Sequence, residues 1–242
     1  MTNSSQILNW DSNFFSKKIA SINISSYDEE FIIQNLNLYK SKDFDLVYLF
    51  INGNSVLPTS ILESFNCKLV DSKLVYSMDI SKDTSIDEPL DIYDFTGEPS
   101  ELYDLGIQAG NESRYKLDVN FSKNDFERLY KTWIDNSCNN QLADKVLVYN
   151  VRNNNLGFMT LKKKANDMSI ILIATDQNHR GNGIGKRLFS YAKKYSKESN
   201  CQTLDVATQK HNNVACKFYE KCGMTMSSQT NIYHIWLEKP PK

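Results

Sequence analysis

One stretch constrains this chain more than any other: Ile170 to Leu188, where an apolar β-branched run meets a polar turn and then a glycine-rich entry into a helical pattern. Ile170, Ile171, Leu172 and Ile173 form a short continuous apolar run bounded by turn residues, which reads as a strand buried on both faces. Asp176 to His179 supplies the turn. Gly181, Gly183 and Gly185 remove side chains where the backbone must approach something closely, and the segment from Ile184 to Lys197 continues as an amphipathic helix. A strand that ends at glycines opening a helix presents free backbone N–H donors at the positive end of a helix dipole, a ready seat for phosphate.

Spacing separates three phosphate-binding readings. A dinucleotide fingerprint needs a third glycine where Lys186 stands, and a nucleoside-triphosphate loop needs four residues between its glycines and a Ser or Thr where Arg187 stands. What remains, Arg180-x-x-Gly183-x-Gly185, resembles the pyrophosphate loop of the GCN5-related N-acetyltransferase (GNAT) family, in which backbone amides hold the diphosphate of coenzyme A. A glycine-rich turn without a ligand is the plain alternative. A second segment supports the resemblance: Ala215-x-x-Phe218-Tyr219-x-Lys221-x-Gly223-Met224 is similar to the family's other cofactor segment, whose tyrosine, here Tyr219, points at the thioester sulfur. A phenol suits that place, because it stays protonated at neutral pH and can hand a proton to a departing thiolate. Asn212 or Asn213 can cap that helix and Gly223 can end it, so each also has a purely structural use.

The resemblance extends over almost the whole chain. Asn9-Trp10-Asp11-Ser12-Asn13-Phe14-Phe15, Ser113-Arg114-Tyr115-x-x-Asp118, Leu129-Tyr130-x-x-Trp133 and Val206-Ala207-Thr208-Gln209 together resemble the bacterial dTDP-fucosamine acetyltransferases, which acetylate a nucleotide-linked 4-amino-4,6-dideoxygalactose during surface-polysaccharide synthesis. One departure is Phe218, which stands where related chains can carry a basic residue. The resemblance implies acetyl-CoA as acyl donor and a nucleotide-linked amino sugar as acceptor. Ile173 and Thr175 would offer backbone hydrogen bonds to the pantetheine arm, and His179, Arg180, Gly181, Asn182, Gly183, Ile184, Gly185 and Asn212 would hold the rest of the cofactor. Tyr219 would be catalytic, and Arg114, Tyr115 and Asp118 would grip the sugar nucleotide, although a solvated turn with a structural ion pair explains those three as simply. No general base is named by the residues: turn polarity accounts for Asp176, His179 and His211, and a water chain would serve equally. Two other readings stay open, a GNAT enzyme for another amine and a non-catalytic acyl-CoA-binding module.

Order along the chain gives an α/β fold with a mixed, largely antiparallel sheet of the GNAT type and a smaller α/β N-terminal domain. Strands are expected at Ile19 to Ile24 and Asp45 to Ile51, and a strand or bent hairpin at Lys68 to Ile80, with helices from Asp28 to Lys40 and from Pro58 to Phe65. The polar segment 81–89 reads as a linker between domains 1–85 and 86–242, or as a long surface loop. Beyond it come a strand over LDIYDF, a helix from Glu98 to Ala109, a polar loop from Glu112 to Asp118 and a helix from Lys123 to Asn136. Strands at Lys145 to Val151, Gly157 to Leu161 and Met168 to Thr175 follow, with a turn at Asn153, Asn154 and Asn155. Thr203 to Thr208, a helix from Asn213 to Lys221 and a last strand, Tyr233 to Leu237, complete the chain.

Composition narrows the partners. A net charge of −1 over 242 residues gives no footprint for nucleic acid or anionic membrane, and no apolar run or basic leader points to an anchor or signal, so the expectation is a soluble cytoplasmic protein. Five cysteines, an odd number without CxxC spacing, read as reduced thiols and not as a metal or disulfide framework. The aromatic start, Trp10, Phe14 and Phe15, suggests an element held against a core. Whether the N-terminal unit pairs with another copy in a homodimer or completes the sugar pocket is left open by the residues.

Overall fold

A computed structural model describes residues 2–81 and 91–237. All of the expected linker except Ser81, and with it the expected boundary, lies outside the described residues. The chain forms two compact units. The first takes residues up to Leu74, Gln209–His211 and the chain from Ser228 onward; the second takes Val75–Thr208 and Asn212–Ser227.

In the first unit, β1 (Ser4–Ile7), α1 (Asn9–Phe15), β2 (Ile19–Ile24), α2 (Glu29–Ser41), β3 (Leu46–Asn52) and α3 (Thr59–Ser64) lead into β4 (Cys67–Asp79), and β10 (Thr225–Trp236) returns to it. The strand order is β1-β2-β3-β10-β4, with β2 and β3 parallel and β10 antiparallel to β3. Alternation decides the core: Ala20, Ile22 and Ile24 of β2, Val47, Leu49 and Ile51 of β3, and Tyr233 and Ile235 of β10 are buried in one cluster with Ile32, Leu36 and Tyr39 of α2. The α2 spacing is the helical repeat seen in the sequence, and the Asp28 carboxylate accepts from the Phe31 N–H at 2.9 Å as its cap.

The second unit contains β5 (Ile92–Asp94), a helical turn at Pro99–Leu102 and α4 (Tyr103–Ala109), then α5 (Arg114–Leu117) and α6 (Lys123–Cys138). The hairpins of β6 (Lys145–Val151), β7 (Asn154–Lys164) and β8 (Asp167–Thr175) precede α7 (Ile184–Glu198), β9 (Thr203–Gln209) and α8 (Asn213–Lys221). Its strands run β4-β9-β8-β7-β6-β5; β5 to β8 are successively antiparallel, and β9 is parallel to β8. The mixed, largely antiparallel α/β class expected from the sequence is the one observed.

Several local expectations need correction. The stretch Glu112 to Asp118 is not a plain loop, because α5 makes one helical turn within it, with Tyr115 buried. The hairpin turn before β7 is Arg152–Asn153, at φ 51° and 64°, while Asn154 and Asn155 already belong to the strand. Two consecutive left-handed residues are what a two-residue hairpin with the right twist requires. Of the three N-terminal aromatics only Phe15 is buried; Trp10 is 47% exposed and stacks on Phe14 at 5.0 Å. Neither β1 nor α1 was expected, since Ser4–Ile7 lacks alternation and Leu8 supplies no capping side chain. The final strand begins at Thr225, eight residues earlier than expected, because its first half is polar and exposed.

Candidate functional site

The site is built where β8 and β9 part. Their parallel pairing runs from Asp167 with Thr203 to Ile170 with Val206 and stops there, although β8 continues to Thr175. A bulge marks the place: Leu161 faces Ile170 and Thr160 faces Leu172, which leaves Ile171 without an opposite residue. The Leu172 N–H donates to the Thr160 hydroxyl at 3.0 Å, which explains a fully buried threonine in an otherwise apolar stretch of β7. β8 is therefore not buried on both faces as its sequence suggested: Ile171 is 37% exposed, while Ile170, Leu172 and Ala174 point inward.

Register then fixes which backbone groups face the opening. The Asp176 N–H donates to the Leu156 carbonyl, toward β7. In an antiparallel pair these groups alternate in direction, so the N–H and C=O of Thr175 and Ile173 turn to the other side, where β9 no longer pairs. Both residues singled out for the pantetheine arm thus have unclaimed ladder groups facing the gap, apart from a long 3.4 Å contact of the Arg180 Nε with the Thr175 carbonyl.

At the end of β8, Asp176 caps a turn over Gln177–His179, accepting from the Asn178 N–H at 3.0 Å. Its carboxylate lies 2.7 Å from the His179 Nδ1, and that bond holds the carboxyl below its ordinary range. Arg180 is extended, and Gly181 and Gly183 follow at φ 84° and 76° with nothing within 4 Å of where a Cβ would stand. Gly183 begins α7, and no side chain caps it. Asp28, Ser122 and Asn212 cap α2, α6 and α8, and α2 and α6 carry acidic residues in their first turns. α7 has no acid there and opens with Lys186 and Arg187 instead. Free N–H groups at a positive dipole end, next to basic side chains and open space, suit a diphosphate. The Ile184 side chain is buried against Gly157, so only its backbone is available at the helix start.

α8 packs beside this helix start. The Phe218 ring lies 3.4 Å from the Cβ position of Gly185 and 6.2 Å from Phe189, so it fills the space between α7 and α8 and accounts for the missing basic residue. Tyr219 is 3% exposed between Phe218 and Tyr76, and burial raises its phenol above the ordinary 10.0. The Asn212 Oδ1 accepts from the Ala215 N–H at 3.1 Å, a cap that leaves the amide nitrogen for other use.

The residues singled out for the sugar nucleotide share α5. The Arg114 guanidinium lies 4.6 Å over the Tyr115 ring and donates to its hydroxyl at 2.7 Å, while Tyr115 is wedged edge-on against Phe121 and Trp133. Asp118 is buried and accepts from the Asn120 N–H and amide at 3.1 and 2.9 Å, closing its own turn. His211 belongs to the first unit. The sequence reading missed Thr160, whose only signal was a polar residue in an apolar strand, and Gln108, which hydrogen-bonds Gln177 from α4. Among the described residues, no group of three or more His, Cys, Asp or Glu could hold a metal ion, and no helix is long and apolar enough to cross a membrane.

Parting parallel strands, a bulge at the fork and a bare helix start beyond it make the second unit an acetyltransferase fold. Residues 112–224, just under half of the chain, match the model of the acetyltransferase (GNAT) family. The chain is 23% identical over 146 residues to the spore coat polysaccharide biosynthesis protein SpsD of Bacillus subtilis (strain 168), which covers 60% of this chain and 50% of that protein. It is 29% identical over 117 residues to a streptothricin acetyltransferase of Escherichia coli, covering 42% of this chain and 63% of that one. The chain thus spans about half to under two thirds of the length of these relatives. A GCN5-related N-acetyltransferase from Sphaerobacter thermophilus has the same fold, with a TM-score of 0.64 at 13% identity over 100% of this chain and 78% of that one.

Proposed function

We propose that this chain moves an acetyl group from acetyl-CoA directly to the amine of a nucleotide-linked amino-dideoxy sugar, in the cytoplasm, during assembly of a surface polysaccharide. The observation that carries the donor half is the gap between β8 and β9 beyond Ile170 and Val206, faced by the backbone of Ile173 and Thr175 and ended by the uncapped start of α7. An amide-rich pantetheine arm matches the ladder groups of Ile173 and Thr175. The diphosphate matches the N–H groups from Gly181 to Gly185 with Arg180 beside them, and His179 and the Asn212 amide flank it. The neutral amine attacks the thioester carbonyl, a backbone N–H at the fork stabilises the oxyanion, and the carbon–sulfur bond breaks as Tyr219 gives its proton to the thiolate; the nitrogen's surplus proton leaves through solvent and restores the phenol. The burial that raises the Tyr219 phenol keeps that proton in place at neutral pH.

The acceptor half rests on the similarity to SpsD, a polysaccharide biosynthesis protein by name, and on the Arg114 and Tyr115 pair. A guanidinium braced on an aromatic ring can make paired contacts to a diphosphate; we assign the grip to Arg114, with Tyr115 beneath it and Asp118 holding the turn. The likeness to a streptothricin acetyltransferase favours one other acceptor class, an antibiotic amine. Thiol release from acetyl-CoA against dTDP-amino sugars, streptothricin, amino acids and polyamines tests both. Release with a dTDP-4-amino sugar alone is the expected result. Release only with another amine overturns the sugar assignment and keeps the donor, whereas failure to bind acetyl-CoA overturns the donor assignment as well.

A further inference from the structure

The turn that leads into the glycine loop bonds half of its N–H groups within itself and half to other elements. Of its four successive N–H groups, Asp176 donates to the Leu156 carbonyl on the neighbouring strand, Asn178 to the Asp176 carboxylate and His179 to the Asp176 carbonyl. Only the Gln177 N–H is taken by a side chain from a distant part of the chain: it donates to the Gln108 Oε1 at 2.9 Å, and the Gln108 side chain adds to the hold on the Asp176 carboxyl below its ordinary range. Beyond this point a Cβ at Gly181 or Gly183 would meet nothing within 4 Å, so no packed side chain braces the loop there. Gln108 sits on a helix with little room to move. On α4, a Cβ at Gly106 would meet Ile134 at 2.7 Å, and one at Gly110, the residue that ends α4, would meet the Tyr130 ring at 2.4 Å, so α4 lies tight on α6. From Gly110 the chain passes through Asn111, Glu112 and Ser113 into α5, which carries Arg114 and Tyr115.

We infer that Gln108 is a positioning residue: it latches the entrance of the glycine loop to the acceptor-side helices, so the loop amides are set for the diphosphate by α4, the helix that leads into the α5 turn carrying Arg114. The inference rests on the donor assignment made above. A carboxamide suits the place, since its oxygen accepts from the Gln177 N–H while its amide, a neutral donor, favours an ionised Asp176. Leucine does neither. Glutamate accepts when ionised but then faces the Asp176 carboxylate; protonated, it accepts through C=O and donates through O–H, as glutamine does.

This gives the Gln108→Glu variant a pH signature that a merely structural role lacks. Coenzyme A binding to the full chain is measured by calorimetry at pH 5 and pH 8.5 for wild type, Gln108→Leu and Gln108→Glu. Glu101, Arg152 and His179 line a depression with Asp176, and Asp104 shares α4; all of these groups are common to the three proteins, so the ratio of variant to wild type is read at each pH. Expected are at least a ten-fold loss for Gln108→Leu at both values, and a comparable loss for Gln108→Glu at pH 8.5 that shrinks to under three-fold at pH 5. Equal affinities in all three proteins, or a Gln108→Glu deficit independent of pH, overturn the latch. Hydrogen exchange of the unliganded proteins separates this from the donor assignment: faster exchange over 176–185 in Gln108→Leu is expected, and unchanged exchange overturns the latch whether or not coenzyme A binds. Failure of wild type to bind coenzyme A overturns the donor assignment alone.

Discussion

At the scale of single residues, Tyr219 and the glycines have distinguishable work. Removing only the hydroxyl with Tyr219→Phe should lower turnover by about two to four orders of magnitude, in the range for losing a general acid, and leave coenzyme A affinity unchanged. Steady-state thiol release and calorimetry on the same preparation check both halves, and undiminished turnover removes Tyr219 from its role. The raised phenol also bears on stability. The unfolded chain releases this proton near the ordinary 10.0 and the folded chain holds it to higher pH, so stability is unaffected below pH 10 and falls above it. Urea unfolding between pH 8 and 11 should show wild type losing stability over the last unit more steeply than Tyr219→Phe. Gly157 and Gly183 separate in the opposite way. A methyl at Gly157 would sit 2.7 Å from Ile184 and 3.2 Å from the Ala174 carbonyl, so Gly157→Ala should cost about 1–3 kcal/mol of stability by overpacking. Gly183→Ala meets no neighbour but holds alanine at φ 76°, a strain of about 1–2 kcal/mol placed at the loop that would bind the diphosphate. Melting temperature should fall for both, and coenzyme A affinity most clearly for Gly183→Ala.

At the scale of elements, caps were the legible part and short packed turns were not. Asp28 before α2 and Asn212 before α8 announce their helices because a short side-chain oxygen beside an apolar repeat has few other local uses, and both carboxylate and amide accept from the third residue on. α5 is only Arg114–Leu117, too short for any periodicity, and the burial of Tyr115 against Phe121 and Trp133 decides it. α8 offers a test of double duty at one residue. Asn212→Ala should destabilise the chain by about 1 kcal/mol through loss of the cap, while Asn212→Asp keeps the capping oxygen and the stability but puts a negative charge where the amide is proposed to meet the cofactor. A weaker coenzyme A affinity in Asn212→Asp, at unchanged urea midpoint, is the expected result; unchanged affinity confines Asn212 to capping.

At the scale of the whole molecule, the thiols report the packing of each unit separately. All five cysteines are free, and burial pushes Cys67 of the first unit up to about 12 and raises Cys138, Cys201 and Cys222 of the second. At pH 8 a thiol at about 12 is ionised in about one molecule in ten thousand, so Cys67 should resist a disulfide reagent in the native chain and react once urea is added. Rapid native labelling of Cys67 would contradict the first unit's core. What the sequence determined by itself are features set within a few residues: the helical repeat of α2 and α6, the strand before the glycines, the free helix start after them, and the tyrosine of α8. These follow from backbone preference and side-chain periodicity, which act over one or two turns. Tertiary structure decided the rest. The fork after Ile170 depends on where β9 stops pairing, and the bulge at Ile171 depends on a threonine eleven residues away on β7. The return of β10 to the first unit and the reach of Gln108 to Gln177 join residues far apart in the chain, and local preference carries no information about such pairs.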